Sequence, residues 1–456
     1  MEATQQVPVR KVEDFFDNEY RGYAIYTIEN RAIPSAVDGF KPSQRKIAYA
    51  ANRLWKTGNE KPMKVFQLGG QAAAISFFHH GSLDGTIIGM TQEFKNSMPI
   101  FQGIGQFGSL RSPEAGAPRY IGVRFNENFR LLYKDFELVT PKFEEGEEIE
   151  PQFFLPIIPT VLLNGGSGIA VGFATNILNR HPLDLIDACL LALDGKEVPV
   201  LRPWIQGFYG DIELVEGTVK SWAFRGKWEV KNTSTVEITE IPPSFTYEKY
   251  EAHLDALVEK GILSSYDDHS SDRVHYLLKF PRAVLAEWIK RDRLGDLLKM
   301  REGEGENLTT LDESGSLRVF ERAEDIVRYF VDFRLGYYER RKSRLLSELT
   351  KEINALDNRA KFVAAVIAGR IVVANEKKPD LVKAIEREGI EKQDGSYDYL
   401  LNMAIYTLTA EKYAELQKKL DQKQKEREKV EKTKPSDFYR QDLKELRSQV
   451  EKTHAR

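Results

Sequence analysis

Apolar positions near the C-terminus recur at alternating steps of three and four residues: Leu346, Leu349, Ile353, Leu356, Ala360, Val363 and Ile367. That is a heptad seam over about three heptads, and it predicts a long helix with one face covered by another helix. Gly369 marks its stop, and a compact, partly aromatic segment follows from Lys377 to Thr407. A second run, Tyr413, Leu416 and Leu420, then begins; its register weakens at Lys423 and Arg427, and Pro435 ends or kinks it. The pattern predicts a helix out, a small tip and a helix back.

Upstream the pattern is mixed. Helical spacing predicts helices over Lys11–Asn30, Ser43–Trp55, Lys64–Phe78 and Tyr247–Lys260. Thr235–Ile241 alternates, stops at Pro242-Pro243 and reads as a strand, as does Val274–Phe280. The longest uncharged stretch, Pro151–Asn179, is broken by Pro156, Pro159, Gly165, Gly166 and Gly168. It holds no run of about 18 apolar residues, so it reads as buried strands joined by tight turns rather than a membrane span. These patterns predict an α+β multidomain chain in three regions: 1–145, 146–320 and 321–456, with a tip at about 370–407.

Length agrees, because a single core stops growing at about 250–300 residues and this chain has 456. With 41% hydrophobic and 30% charged residues, collagen-like and wholly disordered classes are excluded. The net charge is −3, yet residues 1–130 carry 16 basic against 12 acidic side chains. A nucleic-acid groove is a local object that a whole-chain average hides. Five of the eight residues from Phe143 to Glu150 are glutamate, a run that reads as a solvated linker or turn. The one cysteine, Cys189, excludes an internal disulfide and fits a reducing compartment. No secretory signal pattern opens the chain.

Candidate chemistry gathers in the first region. His79 and His80 are adjacent, share no helix face and make a poor metal pair. The run Asn164–Gly172 lacks both the Lys-Ser/Thr of a phosphate loop and the spacing of a dinucleotide site. It is either a tight turn or a loop offering Ile169 to a partner surface. Tyr120 is one of 19 tyrosines, most of which pack. Its setting differs: Pro118 fixes the approach, Arg119 adjoins it, and Gly103–Gly108 lies upstream. A phenol attacks phosphorus only where phosphate charge is offset, which arginine does bidentately.

In order, these segments resemble the DNA breakage–reunion subunit of type IIA topoisomerases, the gyrase A and ParC-like family. The resemblance rests on Arg31-Ala-Ile-Pro34 with Asp38-Gly-Phe-Lys-Pro-Ser-Gln-Arg-Lys46, His79-His-Gly81, Gly105-Gln-Phe-Gly108 and Pro118-Arg-Tyr120. It continues through Pro156-Ile-Ile-Pro159, Asn164–Ile169 and Ile238-Thr-Glu-Ile-Pro-Pro243. The motif forms look eukaryotic, but the chain shows no ATPase and no acidic Toprim cluster. That combination is similar to the split topoisomerases of T-even phages.

The resemblance implies a winged-helix cleavage domain, an α/β tower, and a long antiparallel coiled coil with a small globular exit-gate tip. It implies that Tyr120 attacks a backbone phosphate to form a 5′-phosphotyrosyl link, with Arg119, Arg31 and His80 assisting. Lys41, Arg45 and Lys46 would grip flanking phosphates. Gln67, Gln71 and Gln106 would touch the duplex without reading it, and Ile169 would wedge between base pairs. It implies Mg²⁺ and ATP, both held by ATPase/Toprim partner subunits, no metal ligands in this chain, a homodimer joined at the tip, and the cytoplasm of an infected cell. Two other readings stand beside it: a non-catalytic DNA clamp, and a coiled-coil dimerisation scaffold.

Overall fold

The computed structural model describes residues 11–55, 61–78, 81–373, 376–393, 395–404 and 408–453. Its contacts divide the chain into two units, one of Met1–Arg334 with Asp442–Arg456 and one of Leu335–Gln441.

The first unit opens with helical turns, α1 (Val12–Phe15) and α2 (Arg21–Thr27), each followed by a π-helical turn. Three helices come next: α3 (Pro42–Leu54), α4 (Val65–Ile75) and α5 (Asp84–Thr91). Helix α3 starts on Pro42, where a missing N–H is harmless. The amide before each of α3 and α4 is satisfied by a glutamine three residues on, Lys41 by Gln44 and Lys64 by Gln67. A small antiparallel sheet in the order β1 (Met63–Lys64), β3 (Gly122–Phe125), β2 (Phe101–Ile104) completes this part, and α6 (Glu127–Leu132) follows it. Its core is aromatic: Phe101, Phe125 and Phe129 stack within 8° of parallel, and Trp55 meets the first two edge-on.

The glutamate run forms an exposed hairpin, β4 (Lys142–Glu144) and β5 (Glu147–Ile149), turning on Glu145 and Gly146 at positive φ. Where buried strands are expected in Pro151–Asn179, the chain is irregular as far as Pro159 and then makes the single turn α7 (Thr160–Leu163). Two prolines cannot donate to a ladder. Strands β6 (Gly166–Ile169) and β7 (Ala174–Ile177) do pair, but as a part-exposed hairpin, and α8 (Pro182–Leu193) follows.

Two further sheets complete the unit. One has the order β14 (Arg301–Gly305), β9 (Ser221–Arg225), β8 (Asp211–Leu214). The other has the order β10 (Lys227–Asn232), β11 (Thr235–Glu240), β13 (Tyr276–Lys279), β12 (Ser265–Asp268). On the second pack α9 (Tyr247–Glu259), α10 (Arg282–Lys290) and α11 (Leu294–Leu297), around Val236, Ile238, Tyr250, Leu254, Tyr276 and Leu278. The alternation that buries Val236 and Ile238 also turns Glu240 inward, where it needs a cation. A last pair, β15 (Thr309–Leu311) and β16 (Leu317–Val319), precedes α12 (Ala323–Ile367).

In the second unit the C-terminal part of α12 lies antiparallel to α15 (Ala410–Lys432). Lys342 Nζ donates to Glu431 O, Arg427 Nε to Thr350 Oγ1, and Lys423 pairs with Glu352. Ala360, Val363 and Leu416 close the apolar end. The two cations that interrupt the apolar register are thus cross-helix polar contacts. Helices α13 (Lys378–Arg387) and α14 (Asp398–Leu401) build a small core with Phe362, Ile371, Ile385 and Tyr397. Pro435 begins α16 (Pro435–Thr453), and Tyr439 stacks on Tyr338 at 4.6 Å.

Asp38, fully buried, holds the first part of unit one together. Its carboxylate accepts from Arg45 Nε and Nη2 at 2.7 and 2.9 Å and from the amides of Phe40 and Phe154. Its carbonyl accepts from Tyr133 and Thr160 hydroxyls. Removing one partner of such a pair strands the other charge. Asp38→Ala should therefore lower the unfolding free energy by about 3–5 kcal/mol, read as a shift in the urea midpoint at unchanged slope.

Candidate functional site

The loop between β2 and β3 is built to present a turn. Gly105 and Gly108 both hold positive φ. A Cβ at Gly108 would meet the Pro113 carbonyl at 2.7 Å, and one at Gly103 would meet the Phe107 ring at 2.5 Å, so these positions need glycine. Phe107 is buried, and Gln92 Nε2 donates to the carbonyls of Phe107 and Pro113. The Gln106 carbonyl accepts from Gly116 N while its side chain faces solvent.

On that base sits the Ala117–Tyr120 turn, closed by Tyr120 N to Ala117 O at 2.9 Å. Tyr120 is 68% exposed. The Arg119 guanidinium lies 5.0 Å from its ring centroid. The start of α4 holds the turn from below: Val65 N donates to Ile121 O, Phe66 N to Pro118 O, and Lys64 Nζ to Tyr120 O. The outer face of α4 shows Phe66, Gln67, Gly70, Gln71 and Ala74, with no charge among them. Gln67 and Gln71 therefore share one exposed face close to the tyrosine turn.

A second group lies around the β6–β7 hairpin. Ile169 stands at its tip, 87% exposed. Lys41 Nζ donates to Ser167 O at 2.7 Å, and burial pulls its ammonium pKa down. Gly168 leaves no room for a Cβ against the Ala32 carbonyl. Arg31, Lys41 and Ile169 are thus brought to one neighbourhood by contacts among their own neighbours. Arg31 is exposed on its π-helical turn and makes no hydrogen bond or ion pair with the Arg119–Tyr120 turn. His80, like His79, lies outside the described residues.

Two expected phosphate grips are placed otherwise. Arg45 is buried and bonded to Asp38 and to the Phe40 carbonyl. Lys46 pairs with Glu150 at 2.8 Å and donates to Ser76 O at 2.7 Å, tying α3 to the end of α4. Both cations answer protein acceptors, and nothing in their own spacing shows it.

Sequence reading also missed Arg111. Its guanidinium reaches Glu240 Oε1 at 2.5 Å and the carbonyls of Ile241, Pro242 and Phe245. Glu240 in turn accepts from Tyr209 N. The Glu-Ile-Pro-Pro motif is therefore a socket for an arginine from the loop that carries Tyr120. The available signal was a glutamate in phase with two buried apolar residues of its strand. Among the described residues no group of three or more His, Cys, Asp or Glu side chains could hold a metal ion, and no helix is long and apolar enough to cross a membrane.

A mixed helix–sheet protein that displays an arginine-flanked tyrosine on a glycine-built turn, beside a charge-free helix face, fits the class that cleaves and re-ligates DNA. The family model for the A-subunit of DNA gyrase/topoisomerase IV matches residues 31–445, and the chain belongs to that family. Its function is that of a DNA-cleaving and re-ligating component of a type II topoisomerase. Enzymes of this family use Mg²⁺ and ATP.

The chain is 32% identical to the DNA topoisomerase medium subunit of Enterobacteria phage T4, over 97% of this chain and all of that one. It is 31% identical to human DNA topoisomerase 2-beta, over 93% of this chain and 29% of that protein. It is similar, with a TM-score of 0.82 and 31% identity, to the crystal structure of the Plasmodium falciparum topoisomerase II DNA-binding, cleavage and re-ligation domain. That match covers 96% of this chain and 64% of the other. The chain thus spans under a third of human topoisomerase 2-beta and the full length of the phage protein.

The packing around the hairpin generates a contrast. Gly168→Ala should cost about 1–3 kcal/mol through the clash with Ala32, whereas Ile169→Ala, at an exposed tip, should stay within about 0.5 kcal/mol. Thermal denaturation of the two variants checks both.

Proposed function

We propose that Tyr120 is the nucleophile of this subunit. Its phenolic oxygen attacks a DNA backbone phosphorus, the 3′ oxygen leaves, and a 5′-phosphotyrosyl ester forms. The ester conserves the bond, so the 3′ hydroxyl can reverse the step without a ligase cofactor. The observation that carries this reading is the presentation of Tyr120: exposed, held only through its backbone, with Arg119 against its ring. Arg119 offsets phosphate charge in the transition state. Arg31 and His80 assist at the phosphate or the leaving oxygen.

The first region acts as a winged-helix domain. The outer face of α4 lies against the duplex with Gln67 and Gln71, and Gln106 flanks it. A face that forms few base-specific contacts suits an enzyme that cuts many sequences. Lys41 answers a flanking phosphate. Arg45 and Lys46 act indirectly, by fixing α3. Ile169 wedges between base pairs and bends the duplex. The region from about 146 to 320 serves as the tower, and 321–456 as a coiled coil whose tip, at about 370–407, joins two copies behind the passed duplex.

We infer that Mg²⁺ and ATP are held by ATPase/Toprim partner subunits, and that the complex relaxes or decatenates DNA in the host cytoplasm.

Two outcomes check this. With the partner subunit, Mg²⁺ and supercoiled plasmid, detergent quenching should trap protein on 5′ ends. Tyr120→Phe should abolish that adduct and Arg119→Ala should lower it by about 10²–10³-fold, both with DNA affinity retained. Adduct surviving in Tyr120→Phe would sink the assignment. An adduct absent from the wild type, with binding intact, would favour the non-catalytic clamp. Ile169→Ala should bind a doubly labelled duplex yet bend it less by fluorescence energy transfer.

A further inference from the structure

We propose that Lys64 is a positioning residue for Tyr120, coupling the seating of α4 on a duplex to the placement of the nucleophile. The inference rests on the reading of Tyr120 given above. Three hydrogen bonds from the first residues of α4 converge on the tyrosine turn. Two are backbone bonds, Val65 N to Ile121 O at 3.2 Å and Phe66 N to Pro118 O at 3.3 Å. The third and shortest comes from a side chain, Lys64 Nζ to Tyr120 O at 2.6 Å.

Lys64 is itself fixed at the helix start, because its amide donates to Gln67 Oε1. Its side chain is exposed, and among the described residues no carboxylate pairs with it. An ammonium has three donors; one is on the tyrosine carbonyl, and the other two face outward. The helix it heads is the one whose exposed face carries Phe66, Gln67, Gly70 and Gln71.

The Tyr120 side chain is exposed and touched at its ring by its neighbour Arg119, so its position follows the backbone of the turn. The turn's own bonds, from Tyr120 N and Ile121 N, both end on the single carbonyl of Ala117. Pro118, within the turn, has no N–H to add. Lys64 therefore supplies the one side-chain bond that references the Tyr120 carbonyl to α4. A shift of α4 against DNA is passed to the tyrosine through it. Small displacements of a nucleophile cost large factors in rate: about 10²-fold for 1 Å.

The test uses the full complex with its partner subunit and Mg²⁺, on a short fluorescein-labelled duplex. Affinity is read by anisotropy, and covalent adduct by detergent quench at saturating duplex. Lys64→Met keeps the apolar stem and loses the donor. It should lower adduct at saturation by about tenfold and change Kd by less than about threefold. Lys64→Arg keeps a donor and should restore most of the adduct. The side chain is exposed, so both variants should melt with the wild type.

Adduct in Lys64→Met equal to wild type at saturating duplex overturns the positioning role. So does a Lys64→Arg variant as defective as Lys64→Met, or a defect that vanishes once duplex saturates. Tyr120→Phe runs alongside. If it retains the adduct, the nucleophile assignment itself fails, and this inference fails with it. If it loses the adduct while Lys64→Met does not, only the positioning role fails.

Discussion

The buried contact between Asp38 and Arg45 is the constraint on which the first part of unit one depends. A carboxylate with no access to water must have its lone pairs answered within the protein. Here three residues answer the carboxylate. Arg45 on α3 binds bidentately, and amides of Phe40 and Phe154 fill the remaining positions. Tyr133 and Thr160 take the backbone carbonyl of the same residue. Gly39 is then forced: at φ +71° it passes so close to Thr160 and Val161 that a Cβ would sit 2.6 Å from the Val161 amide. The Asp-Gly-Phe-Lys-Pro…Arg motif is, in this light, chiefly a folding device. It presents Lys41 as a by-product of holding Asp38.

The same device recurs. Arg111 meets Glu240, Arg180 meets Glu306, and Arg334 meets Asp135, each pair buried. In each, the guanidinium also reaches backbone carbonyls: Ile241, Pro242 and Phe245, then Leu178 and Leu201, then Pro156. Arginine suits this better than lysine, because it offers five donors in a fixed planar fork against three on an ammonium. Such pairs add little net stability after desolvation. What they fix is which segments meet, and two of them reach the site: Arg45 under Lys41, and Arg111 in the loop before Tyr120.

The site is therefore a surface display on a rigid frame. Arg31, Arg119, Tyr120 and Ile169 are exposed, and the order beneath them is carried by glycine turns, backbone bonds and buried ion pairs. The outer face of α4 carries no charge, and Arg45, Lys46 and Arg111 of the same region are already paired with carboxylates.

Local structure was legible because its causes are local. The α9 helix, strands β11 and β13, and the antiparallel helices of unit two all follow from periodicity, proline and glycine within the segment itself. The turn that displays Tyr120 was legible for the same reason: Pro118-Arg119-Tyr120 and the glycines before it are contiguous. The direction in which each cation points was not legible. Arg45 and Lys46 look like phosphate grips until Asp38 and Glu150 are brought beside them, and Arg111 is silent until Glu240, 129 residues away, turns inward. The sequence by itself determined many of the local elements and the turn that carries Tyr120, since propensity and pattern act over a few residues. Only the tertiary structure decided which charges remain free for DNA, because a charge is free only when no partner distant in the chain has been folded against it.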